Sequence, residues 1–267
     1  MIYDFESDAT NIKENLNCSR IGSSILFLPE VDSTNNVVKK YLLDGANEGL
    51  VVVAESQTAG KGRMGRVWYS PSETGIYLST LLKPNLDLDY LPLFTLLAGV
   101  AAILTINEFS HQRANLKWPN DIIINGKKVC GLLCELIQSR GRPIGLVIGF
   151  GINANHQIEQ FPESLKSSAT SLRIVNGSSI DRLALIRSLL TSLDLEYQNF
   201  LTEGKRPMIE KWCTNSDFFG KKVSVIRGST ITTGTAIHLN ESGRLVLRQD
   251  NGHEEALDSG EVTMHKS

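Results

Sequence analysis

Between Gln57 and Pro71 the chain reads Gln-Thr-Ala-Gly-Lys-Gly-Arg-Met-Gly-Arg-Val-Trp-Tyr-Ser-Pro, with three glycines and three cations in the seven positions from Gly60 to Arg66. Glycine lets backbone N–H groups approach a ligand closely, and Arg and Lys add directed donors and positive charge. The combination suits a phosphate or a carboxylate. A solvated basic loop is the alternative for such a run taken alone, so the rest of the chain has to decide.

Gly60, Gly62 and Gly65 satisfy GxGxxG. A dinucleotide fingerprint, however, needs its last glycine to open a helix and an acidic residue about twenty positions on. Here Val67-Trp68-Tyr69 and Gly75–Leu82 read as strands. A phosphate-binding Walker loop is excluded too, because no Gly-Lys-Ser/Thr closes the pattern. Four further segments carry polar or charged residues, the last two of them beside glycine: Asp32-Ser33-Thr34-Asn35, Lys117-Trp118-Pro119-Asn120-Asp121, the strand Lys128–Glu135, and Gly149-Phe150-Gly151-Ile152-Asn153, read as a loop.

The elements that must position these residues are legible in outline. Ser24–Pro29 reads as a strand, and Asp32–Asn35 offers capping side chains to a helix with Val37, Val38, Tyr41 and Leu42 at helical spacing. Gly49–Glu55 is a β-branched strand feeding the glycine loop, and Leu91–Phe109 reads as a buried helix. Asn125-Gly126 and Arg140–Pro143 mark two hairpins, so the sheet is mostly antiparallel. A polar linker then leads to a helix over about 180–201 and a short one at Pro207–Trp212. Beyond Gly220 short strands follow at close turn spacing, which is the texture of a small β-barrel. The expected fold class is α+β, divided into an N-terminal arm (1–20), a catalytic domain (21–214) and a C-terminal barrel (215–267).

Composition narrows the function. With 27 basic against 29 acidic residues and a net charge of −2, no global field attracts nucleic acid or an anionic membrane. Cys18, Cys130, Cys134 and Cys213 fit neither a disulfide framework nor a zinc pair. The N-terminus lacks a basic start followed by an apolar run, so no signal peptide is read and a cytoplasmic location is expected. Cys130 and Cys134 read as core filling, and the five histidines show no ligand spacing and read as surface or partly buried residues.

Taken together, the loop Gly60–Arg66 with Trp68, the Lys117–Asp121 segment, Lys128–Glu135 and Gly149–Asn153 resemble the biotin protein ligases, in the family's order, over roughly residues 21–267. The resemblance implies a class II synthetase-like biotin/lipoate ligase domain with helices packed on a mixed sheet, followed by an SH3-like barrel. It implies two steps: biotin and ATP form biotinyl-AMP, and a lysine of a biotin carboxyl carrier protein then takes the biotinyl group. By the same resemblance Lys128 and Arg63 are catalytic. Ser33, Thr34, Asn35, Gln57, Gly60, Arg63, Lys128 and Gly131 contact biotin. Arg63, Arg66, Trp68, Lys117, Asn120 and Asn153 contact ATP.

Physical chemistry agrees, since a carboxylate attacking a phosphate brings two anions together and needs cations that tighten as charge develops. The plainer readings are a helix cap for Ser33, core roles for Trp68 and Trp118, a hairpin solubiliser for Lys128, and a turn residue for Asn153. Asp121 stays open between orienting pocket donors, holding a Mg²⁺ that accompanies ATP, and shaping its corner. Lys61 and Met64 stand where arginine is frequent in the family.

Rival functions are a lipoate ligase or octanoyltransferase of the same fold, and a non-catalytic biotin-binding module. A repressor is not expected, because about twenty residues before the first strand are too few for a DNA-reading domain. A homodimer joined along sheet edges is compatible with such folds, and the sequence does not choose it over a monomer.

Overall fold

The computed structural model describes residues 5–84 and 91–264. The start of the N-terminal arm, residues 1–4, lies outside them. A seven-stranded sheet forms from β1 (Ser24–Val31), β2 (Leu50–Gln57), β3 (Gly75–Leu82), β4 (Asn115–Lys117), β5 (Asp121–Ile124), β6 (Lys127–Ser139) and β7 (Arg142–Asn153). Its order is β1-β2-β3-β7-β6-β5-β4. Only β1 and β2 are parallel, joined through the helix α2 (Thr34–Leu43); every other pairing is antiparallel. The hairpins at Asn125-Gly126 and Arg140-Gly141 each put two successive residues at positive φ, as tight two-residue turns require.

Side chains alternate across the sheet, and two cores result. Leu146, Ile148, Phe150 and Ile152 of β7 face the larger core with α3 (Leu91–Phe109), α5 (Arg182–Glu203) and α6 (Lys205–Thr214). Val147 faces the smaller core, with Val38 and Leu42 of α2. α3 is apolar and long enough to cross a bilayer by composition. Its buried residues, from Leu93 to Ile106, belong to the larger core instead.

The segment 149–153, read as a loop, is the last part of strand β7. Its glycines are not breakers. They occupy the alternate positions, on the face away from the larger core, where other groups approach the backbone: a Cβ at Gly149 would sit 2.2 Å from Asn35 Oδ1, and one at Gly151 would sit 2.4 Å from the Trp68 ring. Val67–Tyr69, read as a strand, makes only a single bridge from Val67 to Lys61. Val67 is exposed there, and Trp68 lies over the sheet as a lid, so no alternating pattern is satisfied.

A second sheet holds β8 (Lys222–Arg227), β9 (Thr230–Leu239), β10 (Leu245–Arg248), β11 (Glu254–Leu257) and β12 (Glu261–Met264) in the order β11-β10-β9-β8-β12, all antiparallel. It shares a core with the first unit, through Val223, Ala236 and Leu245. Ahead of β1, helix α1 (Phe5–Glu14) buries Ile12 in that core. The turn that follows α1 is held by Asp194 of α5, which accepts the backbone N–H groups of Ser19, Arg20 and Ile21 at 2.8–2.9 Å.

Candidate active site

On the sheet face opposite the larger core, α2 begins where β1 ends, and its first turn brings Ser33, Thr34 and Asn35 inward. Ser33 stands at the N-cap position, yet its side chain makes no capping bond. The end of the helix is satisfied by Gln57, whose Oε1 accepts from Thr34 N at 2.9 Å. That bond to a backbone donor fixes the amide's orientation, and Nε2 donates to Ser70 Oγ at 2.9 Å. Ser79 Oγ lies 2.7 Å from Thr34 Oγ1 and 2.6 Å from Asn35 Oδ1, and Asn35 Nδ2 donates to Glu135 Oε2 at 2.6 Å. One end of the site is thus a connected network of hydroxyls and amides in fixed orientations.

The cationic end is made by a fault in the strand pairing. Ile122 pairs with Cys130, but Ile123 pairs with Lys128, so Val129 is an extra residue in β6. Val129 and Cys130 are both in the larger core. The bulge reverses the alternation and turns Lys128 to the same face as Gly131. There its Nζ lies 2.6 Å from Asp121 Oδ1 and 5.2 Å from the centroid of the Trp68 ring. Asp121 Oδ1 has no aligned hydrogen-bond donor, so the pair is an ion contact with acceptor capacity left over. The backbone is also clamped, Lys128 N donating to Ser168 O at 2.8 Å and Thr170 N donating to Lys128 O at 2.9 Å.

Trp68 lies flat because Gly131 and Gly151 leave it room, a Cβ at Gly131 meeting its ring at 2.8 Å. The glycine loop closes on itself, with Gly62 N donating to Arg66 O at 2.7 Å and Trp68 N to Gly60 O at 2.9 Å. Gly65 and Met64 take positive φ at its tip. Arg63 Nη1 donates to Asn120 Oδ1 at 3.1 Å. Burial lowers the Arg63 guanidinium from its ordinary value, the Asp121 carboxylate opposing that effect. An arginine stays charged regardless, and a partly desolvated one holds an anion more strongly. At the mouth Arg66 Nη1 meets Glu261 Oε2 of β12 at 3.2 Å.

These residues enclose a cavity of about 310 Å³, at the small end for ligand sites. Ser33, Thr34, Asn35, Gln57, Arg63, Arg66, Trp68, Lys117, Asn120, Asp121, Lys128, Gly131 and Asn153 all line it. Gly60 does not; its carbonyl accepts Trp68 N instead, and a Cβ there would meet Trp68 O at 2.5 Å. Trp118 takes its plainer reading: it is in the larger core and its Nε1 points to Gly243 O at 3.4 Å. Asn153 is the last residue of β7 rather than a turn residue, and its Nδ2 donates to Thr170 O at 3.0 Å. Among the described residues no group of three His, Cys, Asp or Glu is placed to hold a metal ion.

Two parts of the wall had no local signal. The polar linker is a strap in which Phe161, Leu165, Ser168 and Ala169 reach the cavity, followed by α4 (Leu172–Asn176). Glu261 arrives from the C-terminal sheet. His156, read with the other histidines as a surface or partly buried residue, is wholly buried, and burial pushes its imidazole down to about 4. The unfolded chain binds that proton near pH 6.5 while the folded state does not, so stability that is complete above 6.5 is lost as the pH falls toward 4. Urea midpoints should therefore show the wild type losing about 2 kcal/mol more than His156→Gln between pH 7 and pH 5. Parallel curves for the two proteins would refute the assignment.

Comparison with known proteins supplies the kinship. Residues 27–153 match the Biotin/lipoate A/B protein ligase family, and residues 218–264 match the Biotin protein ligase C terminal domain. The chain is 35% identical to the Bifunctional ligase/repressor BirA of Bacillus subtilis, over 91% of this chain and 75% of that one. It is 29% identical to the Biotin--[acetyl-CoA-carboxylase] ligase of Mycobacterium tuberculosis, over 87% and 86% of the two chains. The structure of a biotin protein ligase from Aquifex aeolicus in complex with biotin and ATP superposes with a TM-score of 0.79 at 30% identity, covering 92% of this chain and all of that one. With both domains in place, the site on the first sheet and Glu261 of the second domain at its mouth, this chain belongs to the biotin protein ligases of the biotin/lipoate A/B ligase family.

Proposed function

We propose that the chain activates biotin with ATP, forming biotinyl-5′-AMP and pyrophosphate, and then transfers the biotinyl group to a lysine of a biotin carboxyl carrier protein. The observation that carries this reading is one cavity with a fixed polar network at one end and Lys128, Arg63 and Trp68 at the other. A ureido ring presents one acceptor and two donors, which Ser33, Thr34, Asn35 and Gln57 can meet. A dithiolane presents neither and would leave the free Ser33 hydroxyl and the spare acceptor capacity of this polar end without a ligand partner, which favours biotin over lipoate.

In the first step a biotin carboxylate oxygen bonds to the α-phosphorus while the bond to the pyrophosphate oxygen breaks. Lys128 and Arg63 screen the two anions as they meet and stabilise charge on the α-phosphate oxygens. Arg66 takes the leaving phosphates, exchanging Glu261 for them. In the second step the neutral acceptor amine attacks the acyl carbon, the bond from that carbon to the AMP phosphate oxygen breaks with its electron pair leaving on AMP, and the proton lost from the nitrogen passes to water. Trp68 and the glycine loop cover the anhydride against water.

Mg²⁺ would reach the site with the ATP phosphates, and Asp121, which lines the cavity, would be the carboxylate to hold it there. The acceptor is taken to be the carrier domain of an acetyl-CoA carboxylase or a related carboxylase, in the cytoplasm. The reading needs neither membrane nor nucleic acid, and the repressor activity in one relative's name is not carried over. It is compatible with a homodimer and does not depend on one.

The test is to incubate the protein with ATP, Mg²⁺, biotin and a carrier domain and follow the mass of the acceptor. Biotinyl transfer dependent on biotin is expected; transfer with lipoate alone, or none, would reject the reading. Gly151→Ala should raise the KM for ATP about tenfold, because its Cβ overlaps the Trp68 ring, which cannot retreat as a flexible side chain would. An unchanged KM would remove Trp68 from the nucleotide side.

A further inference from the structure

His156 does not line the cavity, yet it backs the wall that does. Its ring stacks on Phe161 with centroids 4.8 Å apart and planes 11° from parallel, and Phe161 faces the cavity. Its Nε2 lies 3.1 Å from Thr74 Oγ1. That hydroxyl donates to Pro71 O at 3.2 Å, so toward the imidazole it acts as acceptor. This network assigns the proton to Nε2 and leaves Nδ1 as a bare, buried acceptor. An all-carbon ring would fill the same slot without leaving a nitrogen unpaired, so packing alone does not account for a histidine here.

The Thr74 bond supplies the reason. Pro71 and Thr74 form the turn that follows Trp68, Tyr69 and Ser70, and His156 ties the strap to that turn. The strap is closed at its base, where Ser171 Oγ donates to His156 O at 2.6 Å. Both aromatic walls of the nucleotide side, Trp68 and Phe161, are therefore referenced to the same corner of the chain.

We propose that His156 is a positioning residue for the nucleotide: through its bond to Thr74 it sets the Phe161 wall against Trp68, and so controls ATP affinity without touching ATP. The inference rests on the ATP-dependent ligase reading for its substrate.

Thr74→Val and His156→Phe each break the bond while keeping bulk and ring, and Thr74→Ser keeps the hydroxyl. KM for ATP should rise about fivefold in each of the first two, with kcat and biotin affinity within about twofold, and Thr74→Ser should stay near wild type. The double variant should be no worse than either single one, since both remove the same bond. Amide hydrogen exchange across 157–170 should quicken in both variants, which reads the strap independently of turnover. Unchanged ATP KM and unchanged strap exchange in Thr74→Val would overturn the proposal, as would a parallel loss of biotin affinity. A wild type inactive with biotin would instead defeat the ligase reading, while strap exchange still tested the tether.

Discussion

Lys128→Met lowers biotin-dependent pyrophosphate release by about 10²–10³-fold, the range for removing one preorganised group that meets charge developing in a transition state. Methionine keeps the length and apolar stem of the side chain, so its contact with Trp68 survives and only the ammonium is lost. The effect is expected to be large because Lys128 is held from three sides. Asp121 lies 2.6 Å from its Nζ, the Trp68 ring lies beneath it, and its backbone is bonded to Ser168 and Thr170. A group so held needs little reorganisation when the reaction begins. Lys128 is about one-third exposed, so its loss should not unfold the protein. The measurements are isotope exchange between ATP and pyrophosphate, and biotin affinity. A loss below tenfold would show that Arg63 carries the charge alone.

Arg182→Met destabilises the fold by about 3–5 kcal/mol, the cost of leaving one member of a buried ion pair unpaired. Arg182 donates to both oxygens of Glu55, at 2.8 and 2.6 Å, and Glu55 is only 5% exposed. Glu55 also accepts the backbone N–H of Glu73. The pair therefore ties the start of α5 to the end of β2 and to the turn before β3, with Gln57 two residues from Glu55. Domain stabilities of about 5–15 kcal/mol make such a loss plain in a urea midpoint. Replacing both partners by apolar residues should recover much of it, because the carboxylate no longer has to be buried alone. A shift below about 1 kcal/mol in the single variant would mean that water reaches Glu55 when Arg182 is gone.

What could be read from the residues was whatever local chemistry dictates. The β-branched run at 51–53 and the Asn125-Gly126 turn state their conformations through sterics and φ alone. The glycine loop states an anion site through the types it concentrates. The polar residues Ser33 to Asn35 and Gln57, twenty-two positions apart at the nearest, came together because a parallel β1-α2-β2 unit sets the start of its helix beside the end of its second strand.

Gly149 and Gly151 misled as loop signals because a glycine's meaning depends on what approaches it, and Asn35 and Trp68 are distant in sequence. The direction of Lys128 was likewise settled only by pairing. In an unbroken strand it would share a face with Cys130 and point into the core, and the extra residue opposite Ile122 and Ile123 turns it to the ligand. The strap, His156 and Glu261 had no local signature, since their roles arise from contacts with residues far away in the chain. Composition and spacing determined which chemistry the chain carries. Tertiary pairing decided which side chains face it, because strand register and bulges are set by the partner strand and not by the residue itself.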